Sequence, residues 1–196
     1  MKSAAFVALI MIAFVNVTRA QADLPQSPSK LSVPDIAVVD QKGKHLRFDS
    51  DILKGRIAVI NTFFTNCTAI CPITQETFSR LSKSLGDRLG RDVVLVSISV
   101  DPESDTPQHM RHWGEKFHAG PGWILVTGTK REIEQLLKSL GLFAPGAKRH
   151  QTAVLIGNPS TGWIRESGFA SQEKLKNMID EMGNVKQDRR GGQSSM

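Results

Sequence analysis

Two uninterrupted apolar runs set the limits on how this chain can fold. Ile57-Ala58-Val59-Ile60, continuing through Asn61-Thr62-Phe63-Phe64, and Val93-Val94-Leu95-Val96-Ser97-Ile98-Ser99-Val100 carry no charge and are rich in β-branched residues. A strand wetted on one face alternates apolar with polar residues, so runs of this kind belong to strands covered on both faces, as in a mostly parallel sheet. Between the two runs, Phe78, Leu81 and Leu85 recur at i, i+3 and i+7. That spacing gives a helix with one apolar stripe.

The alternation continues along the chain. Asp101-Pro102-Glu103-Ser104-Asp105-Thr106-Pro107 turns into a helix whose inner face is Met110, Trp113 and Phe117, with Asp105 or Thr106 as its cap and Pro107 in its first turn. Trp123 to Val126 reads as a strand, and Ile133, Leu136, Leu137 and Leu140 stripe the next helix. Thr152–Gly157 and Gly162–Arg165 flank Asn158-Pro159-Ser160-Thr161 as a hairpin, and Leu175, Met178, Ile179 and Met182 stripe a last helix. Ahead of all this, Ile36–Val39 and Leu46–Phe48 enclose a Gly43 turn, which predicts an N-terminal β-hairpin. The order is hairpin, β, α, β, α, β, α, β, β, α, and it predicts an α/β fold with a mixed β-sheet flanked by helices.

The 196 residues suit one domain with terminal extensions. Met1-Lys2-Ser3 and the twelve uncharged residues Ala4 to Val15 have the layout of a secretory signal, closed by Asn16, Thr18 and Arg19. A membrane span needs about 20 apolar residues, so residues 1–20 read as a signal peptide, cleaved after Ala20 or Ala22. An uncleaved N-terminus would instead hold the protein at a membrane. Either way the protein is exported, to the periplasm or to a membrane facing it. Pro25, Pro28 and Pro34 make 21–34 a flexible linker, 35–183 form the domain, and the polar, Gly-rich 184–196 read as a disordered tail. The net charge of +6 is mild. The basic pairs Lys148-Arg149 and Arg189-Arg190 are too sparse for a nucleic-acid surface, so no nucleic-acid partner is expected.

Two cysteines exist, in the segment Cys67-Thr68-Ala69-Ile70-Cys71. A disulfide there would close a very short loop and constrain the unfolded chain little, so reactivity or metal binding is the better reason for the pair. Both stand where a buried strand gives way to a helix. Unpaired N–H groups and the helix dipole should there lower both thiol pKa values. Thiolates select Cu(I), zinc or iron–sulfur centres, and two alone are too few for the usual structural zinc or cluster sites. His150 is the candidate third ligand. It stands just before the strand starting at Thr152, and in thioredoxin-like folds the loop entering that strand lies opposite the cysteine turn. Lys148 and Arg149 beside it would keep the imidazole neutral. His109 and His112, three apart on one helix, read as solvated, and His45 and His118 carry no signature. Asp101 either orients a ligand from behind or caps its own turn.

These residues bring a resemblance. Phe63-Phe64-Thr65-Asn66-Cys67-Thr68-Ala69-Ile70-Cys71-Pro72 resembles the CxxxCP signature of the Sco/SenC family after its aromatic-rich strand. Val100-Asp101-Pro102-Glu103-Ser104-Asp105-Thr106-Pro107 resembles the family's second motif, and His150 occupies the place of its copper-ligand histidine. The likeness runs from Pro34 to Met182. It implies a thioredoxin-like fold and a copper ion, Cu(I) or Cu(II), held by Cys67, Cys71 and His150. It also implies a metallochaperone role in maturing the binuclear copper site of cytochrome c oxidase, whose copper-bearing subunit would be the partner. Copper delivery and reduction of the acceptor's cysteines are the two modes implied. Arg149 departs from the acidic residue that many relatives carry before the histidine. A metal-free thiol–disulfide oxidoreductase using Cys67 and Cys71 is the alternative. A peroxidase ranks third, because Phe64 stands where such a motif needs proline.

Overall fold

The computed structural model describes residues 28–145 and 152–191, with side chains to Asn184 in the last helix. Residues 1–20, most of the linker, and His150 with its neighbours Lys148 and Arg149 lie outside the described residues. Among the described residues no helix is long and apolar enough to cross a membrane.

The two apolar runs become β3 (Ile57–Phe63) and β4 (Val93–Ser99), every residue of both buried. They pair in parallel, and β5 (Trp123–Thr127) continues the parallel set beyond β4. The expected N-terminal hairpin forms from β1 (Ala37–Asp40) and β2 (His45–Arg47), with β1 antiparallel to β5. On the other side β6 (Ala153–Asn158) runs antiparallel to β3, and β7 (Gly162–Ser167) to β6. The sheet order is β2-β1-β5-β4-β3-β6-β7.

Side-chain alternation along β3 and β4 divides the core in two. Ile57, Val59, Phe63 and Leu95 face a layer holding Phe78, Leu81 and Leu85 of α1 (Ile70–Leu85), Met110 and Trp113 of α2 (Pro107–Lys116), and Leu175, Ile179 and Met182 of α4 (Gln172–Gly191). Ala58, Ile60, Val94, Val96 and Ile98 face Ile133, Leu136 and Leu137 of α3 (Lys130–Ser139), together with Phe48, Ile52 and Leu53 of a π-helical turn. Each helical stripe read from the sequence is the buried face of its helix. The fold is the mixed, thioredoxin-like α/β arrangement. Thr106 is the cap of α2, its hydroxyl accepting the His109 N–H at 3.2 Å.

Both ends of the domain hold more structure than the sequence suggests. Ser29, inside the expected linker, exchanges two backbone hydrogen bonds with Trp163, each 2.8 Å. Gly162 makes this approach possible: at φ +91° it suits a residue without a side chain, and a Cβ there would meet Pro28 at 2.9 Å. At the other end α4 continues to Gly191, through residues expected to be a tail. Lys186, Gln187, Arg189 and Arg190 are good helix formers, and they extend a helix already anchored by its buried stripe.

Candidate functional site

Phe63 and Ser99 are register partners at the ends of β3 and β4, so the turns that follow both strands leave from one sheet edge. The Val100 N–H donates to the Phe63 carbonyl at 2.9 Å and holds the two exits together. After β3 the chain turns tightly, with the Cys67 N–H donating to the Phe64 carbonyl at 3.1 Å. It then enters α1 at Ile70, whose cap residue Ala69 has no polar side chain to accept from the first turn. The Cys67 sulfur takes that part, accepting the Cys71 N–H at 3.3 Å.

The two thiols are unbridged and close, yet their surroundings differ. Cys67 keeps 8% of its surface exposed, while Cys71 has none. Burial alone would raise the pKa of Cys67. Hydrogen bonds from the Cys71 thiol and from the N–H groups of Cys71, Ala69 and Ile70 outweigh it, and the net shift is downward. Cys71 goes the other way, pushed up to about 12 by burial first, then by giving its hydrogen bond to Cys67 and by the nearby negative charges of Cys67 and Asp105. The expectation that both thiols are acidified therefore holds for Cys67 alone. Spacing brings both to the helix start, but Cys71 lies inside the first turn and faces the core, where burial outweighs the hydrogen bond that the Phe64 backbone gives it.

Asp105, by sequence only a candidate helix cap, plays a different part in the structure. It is 1% exposed and stands where the turn after β4 meets α2. One carboxylate oxygen accepts the Thr65 N–H at 3.0 Å and the Thr65 hydroxyl at 2.6 Å; the other accepts the Ser99 hydroxyl at 2.5 Å. The available signal was a second acid four residues beyond Asp101 in the same motif. Nothing local says which of two acids turns inward.

Asp101 itself closes the turn. Its carbonyl accepts the Ser104 and Asp105 N–H groups at 3.1 and 2.9 Å, and its own N–H donates to the Ser99 hydroxyl. Its side chain borders a groove with Glu103, Lys130 and Phe143. His109 donates from Nδ1 to the Ser104 carbonyl at 2.8 Å, and His112 stands 3.8 Å from Glu115. His150 lies outside the described residues, but the strand it precedes does not. In the antiparallel β3–β6 register Ile60 faces Leu155, so β6 begins at the level of Thr62. The chain thus enters β6 from the sheet edge at which the cysteine turn leaves β3. Among the described residues no three or more His, Cys, Asp or Glu side chains gather as a metal cluster.

Comparison with known proteins agrees with this architecture. A protein of Stutzerimonas stutzeri named for copper binding is 33% identical over 134 residues, covering 68% of this chain and 64% of that protein. The chain spans only about half the length of the Rickettsia SCO2-like proteins that it also matches. Among solved structures, a SCO1/SenC family lipoprotein from Bacillus anthracis superposes with a TM-score of 0.69 at 24% identity, over 82% of this chain and 98% of that one. BsSco, described as a member of the Sco family of cytochrome c oxidase assembly proteins with a disulfide switch, gives 0.63 at 27% identity, over 82% and 96%. Yeast Sco1 with copper bound gives 0.64 at 20% identity, over 80% and 90%. The profile of the SCO1/SenC family matches residues 26–183. By the extent of that match, which covers the whole sheet and all but the end of the last helix, this chain belongs to the SCO1/SenC family.

Proposed function

We propose that this protein is a copper carrier of the exported space, holding copper through Cys67, Cys71 and His150 and serving the assembly of the copper site of cytochrome c oxidase. The observation that carries the reading is the paired sulfurs at the start of α1. The Cys67 sulfur receives three backbone N–H groups and keeps a small opening to solvent, and the Cys71 sulfur lies against it. Two soft donors on one turn suit Cu(I). A neutral imidazole is the donor that completes such a set, and the direction from which β6 is entered supports His150 in that part. The copper-binding name of the Stutzerimonas relative, the copper bound to yeast Sco1, and oxidase assembly in the description of BsSco support the cargo and its destination. A signal-like N-terminus, and the lipoprotein among the structural neighbours, support export to the periplasm or to a membrane facing it.

Copper loading tests this directly. The purified protein should bind stoichiometric copper with a sulfur-to-copper charge-transfer band. Replacement of Cys67, Cys71 or His150 by Ala should abolish or strongly weaken both. A His150→Ala variant with the wild-type band and affinity would remove His150 from the site.

The unlike thiols favour a second reading, in which the dithiol reduces a disulfide on the acceptor. The Cys67 thiolate attacks one acceptor sulfur, the acceptor S–S bond breaks, and its other sulfur leaves as a thiol once protonated. Cys71 then loses its proton and attacks the Cys67 sulfur, forming the Cys67–Cys71 disulfide and freeing the acceptor dithiol. The two electrons gained by the acceptor are those lost by this pair. This exchange needs no copper and is insensitive to His150→Ala, which separates it from the first reading.

A further inference from the structure

We infer that Asp105 is a positioning residue which holds the turn from Phe64 to Cys67 in the geometry the sulfur pair needs. Three donors converge on its buried carboxylate, and two of them belong to Thr65, two residues before Cys67. A carboxylate taken out of water is costly unless its oxygens are well supplied with donors. Here that supply ties the entrance of the cysteine turn to the end of β4 and the start of α2. Cys67 is fixed on one side by its own N–H on the Phe64 carbonyl and on the other by the start of α1. The Asp105–Thr65 clamp removes the freedom left between those two points. Asn66, the residue between clamp and sulfur, is exposed. A plain brace between β4 and α2 would need only the Ser99 bond and the Thr106 cap, so the two bonds to Thr65 mark the positioning role.

The inference rests on the copper reading where it concerns affinity, and stands apart from it where it concerns Cys67 in the metal-free protein. The test uses Asp105→Ala, Asp105→Asn, Thr65→Val and Ser99→Ala in the full chain. Three quantities are read: the rate of Cys67 alkylation by iodoacetamide in reduced, metal-free protein, Cu(I) affinity by competition with a chromogenic chelator, and the melting temperature. Asp105→Ala and Thr65→Val should lower the alkylation rate several-fold, because a loosened turn withdraws Cys67 from the N–H groups that favour its thiolate. They should also weaken Cu(I) binding about 10- to 100-fold, the usual loss when a group orienting a metal ligand is removed. Asp105→Asn should recover most of both, because its amide oxygen still accepts from Thr65. Ser99→Ala loses two hydrogen bonds of the same network, one to Asp105 and one from the Asp101 N–H, and should lower the melting temperature at least as much as Thr65→Val while leaving alkylation and affinity near wild type. A folded Thr65→Val protein with wild-type alkylation overturns the inference, and so does a Ser99→Ala protein that changes as much as Thr65→Val. Should Asp105→Ala fail to fold, Thr65→Val decides. If the wild-type chain binds no copper, the copper reading fails and alkylation alone decides the role of Asp105.

Discussion

Three N–H groups of the α1 entrance point at the Cys67 sulfur, whereas Cys71, one turn further on, is closed off beneath the helix. This difference predicts an order of reactivity. In reduced, metal-free protein, iodoacetamide at neutral pH should label Cys67 and spare Cys71, which follows only as pH approaches about 12. Residue-resolved mass spectrometry reads the order, and equal labelling of both would contradict it. The stability consequence has opposite signs for the two thiols. The folded state favours the Cys67 thiolate, so that contribution is present above the unfolded thiol value of about 8.5 and is lost as pH falls through the lower folded value. Cys71 is favoured protonated: its contribution is complete below about 8.5 and is lost as pH climbs through that range toward the folded value.

At the scale of elements, α1 is held to the sheet by more than its apolar stripe. The Trp123 indole donates to the Ser97 hydroxyl at 3.1 Å, and that hydroxyl reaches the Gln75 side-chain oxygen at 3.4 Å, one helical turn beyond Cys71. On the far side of α1, α4 is pinned by Asp180, which accepts from Lys176 within the helix and from Arg88 in the turn after α1. Hydrogen bonding from Lys176, then from Arg88, holds the Asp180 carboxyl below its ordinary value. The stabilisation is thus present above the ordinary carboxylate pKa and lost as pH falls through the lower folded one. With Asp180 two-fifths exposed, solvent screens these pairs, and Asp180→Asn should cost about 0.5 kcal/mol at neutral pH and less in acid. Urea midpoints at the two pH values measure it; a loss that grows in acid would refute this sign.

For the molecule as a whole, the proposed ligands come from segments far apart in sequence, so copper held by all three should report on global folding. A ligand bound only by the native state stabilises it by about 2.7 kcal/mol at a free concentration 100 times the dissociation constant. Calorimetry should show Cu(I) raising the melting temperature of the wild-type protein and leaving Cys67→Ala nearly unmoved. An equal rise in both would point to copper held elsewhere.

The order of elements, the buried faces of the helices and the N-terminal hairpin follow from apolar periodicity, because burying those residues is the main gain of folding and their spacing allows few ways to do it. The placement of Cys67 and Cys71 together at the start of a helix follows from their position between a buried run and a helical stripe. The partnership of Ser29 with Trp163, the inward turn of Asp105 rather than Asp101, and the opposed behaviour of the two thiols do not follow. Each depends on which donors and how much solvent surround one group. That surrounding is assembled by residues remote along the chain, so it exists only after the sheet has brought its strand ends together.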